Sequence, residues 1–164
     1  MCACSTRRLI AQLFALGVAL FPALSFAQAA SEDNPLLGTW RLLVEKSRYN
    51  PGPPPQRQTR TYEAAPQGLK TTIRTVDADG QSTVVEYTAN YDSIEYHVSG
   101  SATTSGIALT KVDPYTAEAT LTHAGHVIGH ATRVVSKDGK TMTITFRDTQ
   151  GAVHNVAVYE REKD

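Results

Sequence analysis

From Gly38 to Tyr159 the chain alternates apolar and polar residues in short runs, and a turn signal ends each run after roughly 8 to 16 residues. Residues 37–45 set Trp40, Leu42 and Val44 against Thr39, Arg41 and Glu45, the period-two pattern of a half-buried strand. Residues 47–56 carry Pro51-Gly52-Pro53-Pro54-Pro55. Prolines fix φ and remove hydrogen-bond donors, so this segment reads as an extended crossover lying across one mouth of the fold. Further strands are predicted over 58–64, 69–76, 82–90, 94–98, 107–112, 117–123, 126–135, 141–147 and 153–159. The links between them are short, among them Pro66-Gln67-Gly68, Ala124-Gly125 and Thr149-Gln150-Gly151. Short links make sequence neighbours pair, so the expected fold is all-β: an antiparallel up-and-down β-barrel of about 8–10 strands. No stretch repeats at the helical period. The interior of such a barrel must be filled by its own side chains or by a ligand.

The first residues follow a different pattern. Arg7 and Arg8 precede an apolar stretch over 9–27, which the small-residue patterns Ser25-Phe26-Ala27 and Ala27-Gln28-Ala29 follow. This is the layout of a secretory signal peptide over 1–29, leaving one barrel domain over 30–164. The expected mature protein is soluble, periplasmic or extracellular, and has no membrane span. Cys2 and Cys4 leave with the leader, so neither a disulfide nor a cysteine metal site is expected. Without Arg7 and Arg8, 14 of the 16 basic residues face 16 acidic ones, a net charge of −2. A domain without a basic stripe is a poor match to nucleic acid, whose binding neutralises phosphates.

Gly38-Thr39-Trp40 on the first strand, Asn90-Tyr91-Asp92 in the middle and Val156-Ala157-Val158-Tyr159-Glu160-Arg161 at the end occur in an order that resembles the calycin superfamily of lipocalins and fatty-acid-binding proteins. Within it the chain is similar to secreted bacterial lipocalin-like proteins, which share the Gly-Thr-Trp start and a late stretch like Val134-Val135-Ser136-Lys137-Asp138-Gly139-Lys140-Thr141. The resemblance implies that Trp40 closes one end of the barrel, with Arg161 packed on its indole face in a cation–π contact, both in structural roles. Fatty-acid-binding proteins hold a carboxylate with an arginine two residues before the terminal tyrosine; that position here is Ala157. The loss removes the bidentate contact that makes such recognition specific. The proline-rich loop also stands where those proteins have a helical lid.

Candidate chemistry is sparse. His123, His126 and His130 suggest a metal site, but His126 and His130 on one strand would lie about 13 Å apart at about 3.3 Å per residue. Metal–nitrogen bonds of about 2 Å keep those two from sharing an ion, and His123 with His126, facing each other across the Ala124-Gly125 turn, offers only a weak two-ligand site, so no metal or other cofactor is expected. His130 shares its face with Ile128, Thr132 and Val134, which predicts a buried face and a polar group in the cavity. Tyr62, Tyr87, Tyr91 and Tyr159 fall in or beside strands and offer an apolar face with a hydroxyl, which suits a ligand wall. Arg74, Arg133 and Arg147 read as solvated outer-face residues that can add charge near a pocket.

No nucleophile elbow, cysteine nucleophile or phosphate-cradling loop is present in the sequence. The leading expectation is a secreted barrel that binds a small apolar molecule without transforming it, using Tyr62, Tyr87, Tyr91, His130 and Tyr159. Two alternatives stand beside it. One is a cofactor-free isomerase or lyase using tyrosine and histidine as acid and base; the other is a structural envelope module with a filled core.

Overall fold

A computed structural model describes residues 34–163, so the signal peptide expected over 1–29 lies outside the described residues. The eleven described strands are β1 (Gly38–Leu42), β2 (Arg48–Tyr49), β3 (Arg57–Ala65), β4 (Gly68–Val76), β5 (Ser82–Ala89), β6 (Glu95–His97), β7 (Gly106–Lys111), β8 (Thr116–His123), β9 (His126–Val135), β10 (Thr141–Arg147) and β11 (Val153–Arg161). All pair antiparallel: ten follow the order β5-β4-β3-β1-β11-β10-β9-β8-β7-β6, β2 pairs with β11 beside this path, and a bridge between Glu86 of β5 and Ser99, just past β6, nearly closes the ring. Among the described residues no helix is long and apolar enough to cross a membrane.

The run expected over 37–45 divides. β1 stops at Leu42, and Val44–Lys46 forms a single 3-10 turn. Ser47 explains how the sheet survives this bend. Its hydroxyl donates to the Leu43 carbonyl at 2.7 Å and accepts from the Val158 amide at 3.0 Å. A side chain thus supplies the acceptor that a straight strand would have offered β11, and pairing resumes at Arg48 and Tyr49, opposite Val156 and Asn155. This two-residue β2 is the strand that the proline-rich stretch concealed. The loop that follows it, Pro51 to Gln56, contributes no residue to the lining of the interior.

The two ends of the barrel are built differently. At the base, Leu36, Trp40, Leu69, Val135, Met142 and Tyr159 pack in one buried cluster. Trp40 is 0% exposed, and its indole nitrogen donates to the Leu36 carbonyl at 2.8 Å. The second cluster, Tyr87, Ala89, Val98, Ile107 and Leu109, gathers where β5, β6 and β7 meet. There the ring is held by two backbone bonds, from Glu86 N to Ser99 O at 3.1 Å and from Ser99 N to Glu86 O at 2.9 Å. Gly100 makes this approach feasible: its φ is +77°, and a Cβ there would fall 1.9 Å from the Val84 carbonyl oxygen.

Candidate functional site

Strand alternation decides which residues enter the barrel. On β3, Gln58, Arg60 and Tyr62 point inward, and Thr61 points outward to bond Thr39 at 3.2 Å. On β8 the inward residues are Ala117, Ala119 and Leu121, and on β9 they include Ala131 and Arg133. Ala119 is the register partner of Ala131, so two short side chains face each other on this wall. They leave room that larger residues would fill. The result is a cavity of about 310 Å³, walled elsewhere by Ile73, Val85, Val98, Ile107, Leu109 and Phe146. Ser101, Thr103 and Thr104, from the segment after β6, also line it.

The polar groups collect toward the base of this cavity. Arg60 Nε donates to the Tyr159 hydroxyl at 3.0 Å and to Gln58 Oε1 at 3.3 Å, and Tyr159 Oη donates to Gln58 Oε1 at 2.5 Å. Arg133 donates to the Tyr91 hydroxyl at 2.5 Å, and its guanidinium lies 5.2 Å from the Tyr62 ring and 5.9 Å from the Tyr91 ring. The Tyr62 hydroxyl is near both guanidinium groups, but its geometry meets neither as a hydrogen bond, and it is buried without a partner. Burial raises the phenols of Tyr87 and Tyr159 above their ordinary value; Arg60 pulls both down, and Arg133 pulls Tyr87 down, yet burial prevails. The phenols of Tyr87 and Tyr159 therefore stay neutral.

Of the residues expected at a ligand site, Tyr62 and Tyr87 line the cavity. Tyr91 lines a void of about 20 Å³ at the base, which Arg133 also borders. Tyr159 is 0% exposed and stands behind Arg60 rather than in the wall. His130 is placed differently from the expectation. It is exposed on the outer face of β9, where its Nδ1 is 3.4 Å from Thr120 Oγ1. The face it shares with Ile128 and Val134 is the outer one, and those two apolar residues are themselves exposed by 41% and 43%. Apolar content misassigned the face because the inward side of β9 is lined by small and charged residues that shape a cavity. His97, His123, His126 and His154 are exposed as well, and His123 and His126 are register partners beside the Ala124-Gly125 turn.

Sequence reading overlooked Arg60 and placed Arg133 outside. The available signal was parity: Arg60 alternates in phase with Tyr62, and Arg133 with Ala131 and Val135. Arg74 and Arg147 are exposed, as the outer-face reading had them. At the base, the Arg161 guanidinium stands 4.3 Å from the Trp40 ring. Its Nε donates to the Gly139 carbonyl at 2.7 Å, and its terminal nitrogens donate to the carbonyls of Leu37 and Pro35. Gly38 admits this arrangement, because a Cβ at its φ of +114° would lie 2.8 Å from Arg161 Nη1.

No protein-family model and no curated protein matches the chain. Among solved structures, the chain is similar to a redesigned β-barrel at 12% identity, over 80% of this chain and 95% of that chain, with a TM-score of 0.48.

Proposed function

We propose that this chain is a secreted, lipocalin-like barrel that holds a small, largely apolar molecule in its interior without transforming it. The observation that carries the reading is the cavity of about 310 Å³, at the lower end of the range of ligand pockets, with mostly apolar walls and a few convergent polar groups. A filled-core envelope module would not need that space. Acid–base catalysis by tyrosine and histidine loses its histidine, since none of the five lines the cavity. The leader layout around Arg7, Arg8 and Ser25-Phe26-Ala27 supports export, and the Gly38-Thr39-Trp40 opening supports the lipocalin-like assignment.

Native mass spectrometry of the protein mixed with cell extract tests the reading. A retained small molecule is the expected result, and Ala119→Phe, which fills the cavity from its wall, is expected to release it while the fold persists. Retention by Ala119→Phe as strong as by the wild type would move binding out of the barrel and sink the reading.

A further inference from the structure

Arg60 and Arg133 carry two positive charges into the cavity, and among the described residues neither forms an ion pair. Arg133 is only 9% exposed. The acidic residue on the cavity wall, Glu118, is itself exposed and forms no ion pair with either. The surrounding tyrosines offer the two guanidinium groups hydroxyl oxygens and ring faces and no carboxylate. A guanidinium has five N–H donors. Arg60 places its Nε on Tyr159 and Gln58, Arg133 places one terminal nitrogen on Tyr91, and among the described residues the remaining donors of both meet no hydrogen-bond acceptor. Between them the Tyr62 hydroxyl is buried and unpartnered. Buried charge without a counter-charge is costly, and a methionine would pack as well, so packing alone does not account for two arginines here.

We infer that the cavity takes a compact amphipathic anion, whose oxyanion head, a carboxylate or a phosphate, sits between Arg60 and Arg133 and accepts from both guanidinium groups and from the Tyr62 hydroxyl. Its apolar body lies against Ile73, Val85, Ile107, Leu109 and Phe146, toward the mouth. The inference rests on the binding-barrel reading and adds the charge of the ligand and the direction in which it enters. Planar guanidinium groups suit both heads because each can meet two oxygens at once.

Calorimetric titration of the purified full-length chain with 1-octanol, octanoate and octyl phosphate separates the possibilities, because the three probes share one tail. The expected result is that at least one anion binds about tenfold or more tightly than the alcohol, and which anion leads identifies the head. In the Arg60→Gln/Arg133→Gln double variant that preference should fall to about twofold or less, with octanol binding retained. Arg41→Gln, on an exposed pair with Glu160, should leave all three affinities unchanged. Octanol binding to the wild type as tightly as either anion overturns the inference and leaves the binding barrel standing. An undiminished anion preference in a folded double variant also overturns it. Binding of none of the three probes removes both readings. Should the double variant fail to fold, the wild-type comparison decides alone.

Discussion

Arg161 lies 4.3 Å from the Trp40 ring and Arg133 lies 5.2 Å from the Tyr62 ring, yet the two contacts play different roles. Around Arg161 three backbone carbonyls, from Gly139, Leu37 and Pro35, take up its donors. Around Arg133 the partners are phenols, and most of its donors face the cavity unmatched. Carbonyls become available at the base because the chain turns there between strands and leaves acceptors outside the ladder. In mid-barrel every neighbouring carbonyl already belongs to a strand pair, so a guanidinium on an inward position finds only side chains. The same cation–ring contact is a plug where the hydrogen-bonding capacity is used up and a receptor where it is left over.

Removing the ring at the base should have the largest effect. Trp40→Ala is expected to cost about 3–5 kcal/mol in urea unfolding, the range for deleting a large buried aromatic. The arginines then test the contrast directly. Arg161→Met strands three carbonyls and should cost about 2–3 kcal/mol, whereas Arg133→Met removes an uncompensated charge and should leave stability within about 1 kcal/mol of the wild type, or raise it. Equal losses at both positions would erase the distinction between plug and receptor. Next in size, Gly100→Ala should cost about 1–3 kcal/mol by forcing a side chain onto Val84 at a strained φ. Amide exchange would locate the damage. It should rise in β5 and β6, beside the cavity, while β1 and β11 at the base stay protected. Smallest is Ala124→Asn in the turn between β8 and β9, where Ala124 holds a φ of 49° next to Gly125 at 78°. Such turns favour Asn-Gly, so the melting temperature should rise by the equivalent of about 0.5–1 kcal/mol without shifting the balance between the two regions.

The strands were legible because a barrel writes its geometry locally. Alternation, turn residues and short links are all contained within ten or so neighbouring positions, and 126–135 and 141–147 match β9 and β10 at both ends. β2 escaped because it depends on the Ser47 hydroxyl bridging Leu43 and Val158, a contact across 111 positions of sequence. The cavity was harder to read. Its existence turns on Ala119 standing opposite Ala131, an absence of bulk that looks like weak hydrophobicity in a strand. By the same logic Ile128 and Val134 drew attention to the outer face of β9 and took His130 inward with them. A rule that seeks the more apolar side finds a filled core, and a cavity wall of alanine and arginine inverts it. Of the expected ligand residues, Tyr62 and Tyr87 reach the cavity, while Arg60, the residue that links it to Tyr159, went unnoticed.

The pairing of Trp40 with Arg161 and of Leu42 with Tyr159 also governs the order in which the molecule can be assembled. Every other pairing of the main ring joins strands within a few dozen positions, but β1 waits for the last described strand of the chain. A growing polypeptide can form the meander from β3 onward, yet Trp40 keeps an open flank until β11 arrives to supply both the neighbouring strand and Arg161. The base is therefore sealed last, and its most apolar side chain is exposed for longest. Because that seam also sets the two ends of the fold side by side, a circular permutant joined there and opened between β5 and β6 would begin life with its plug already made.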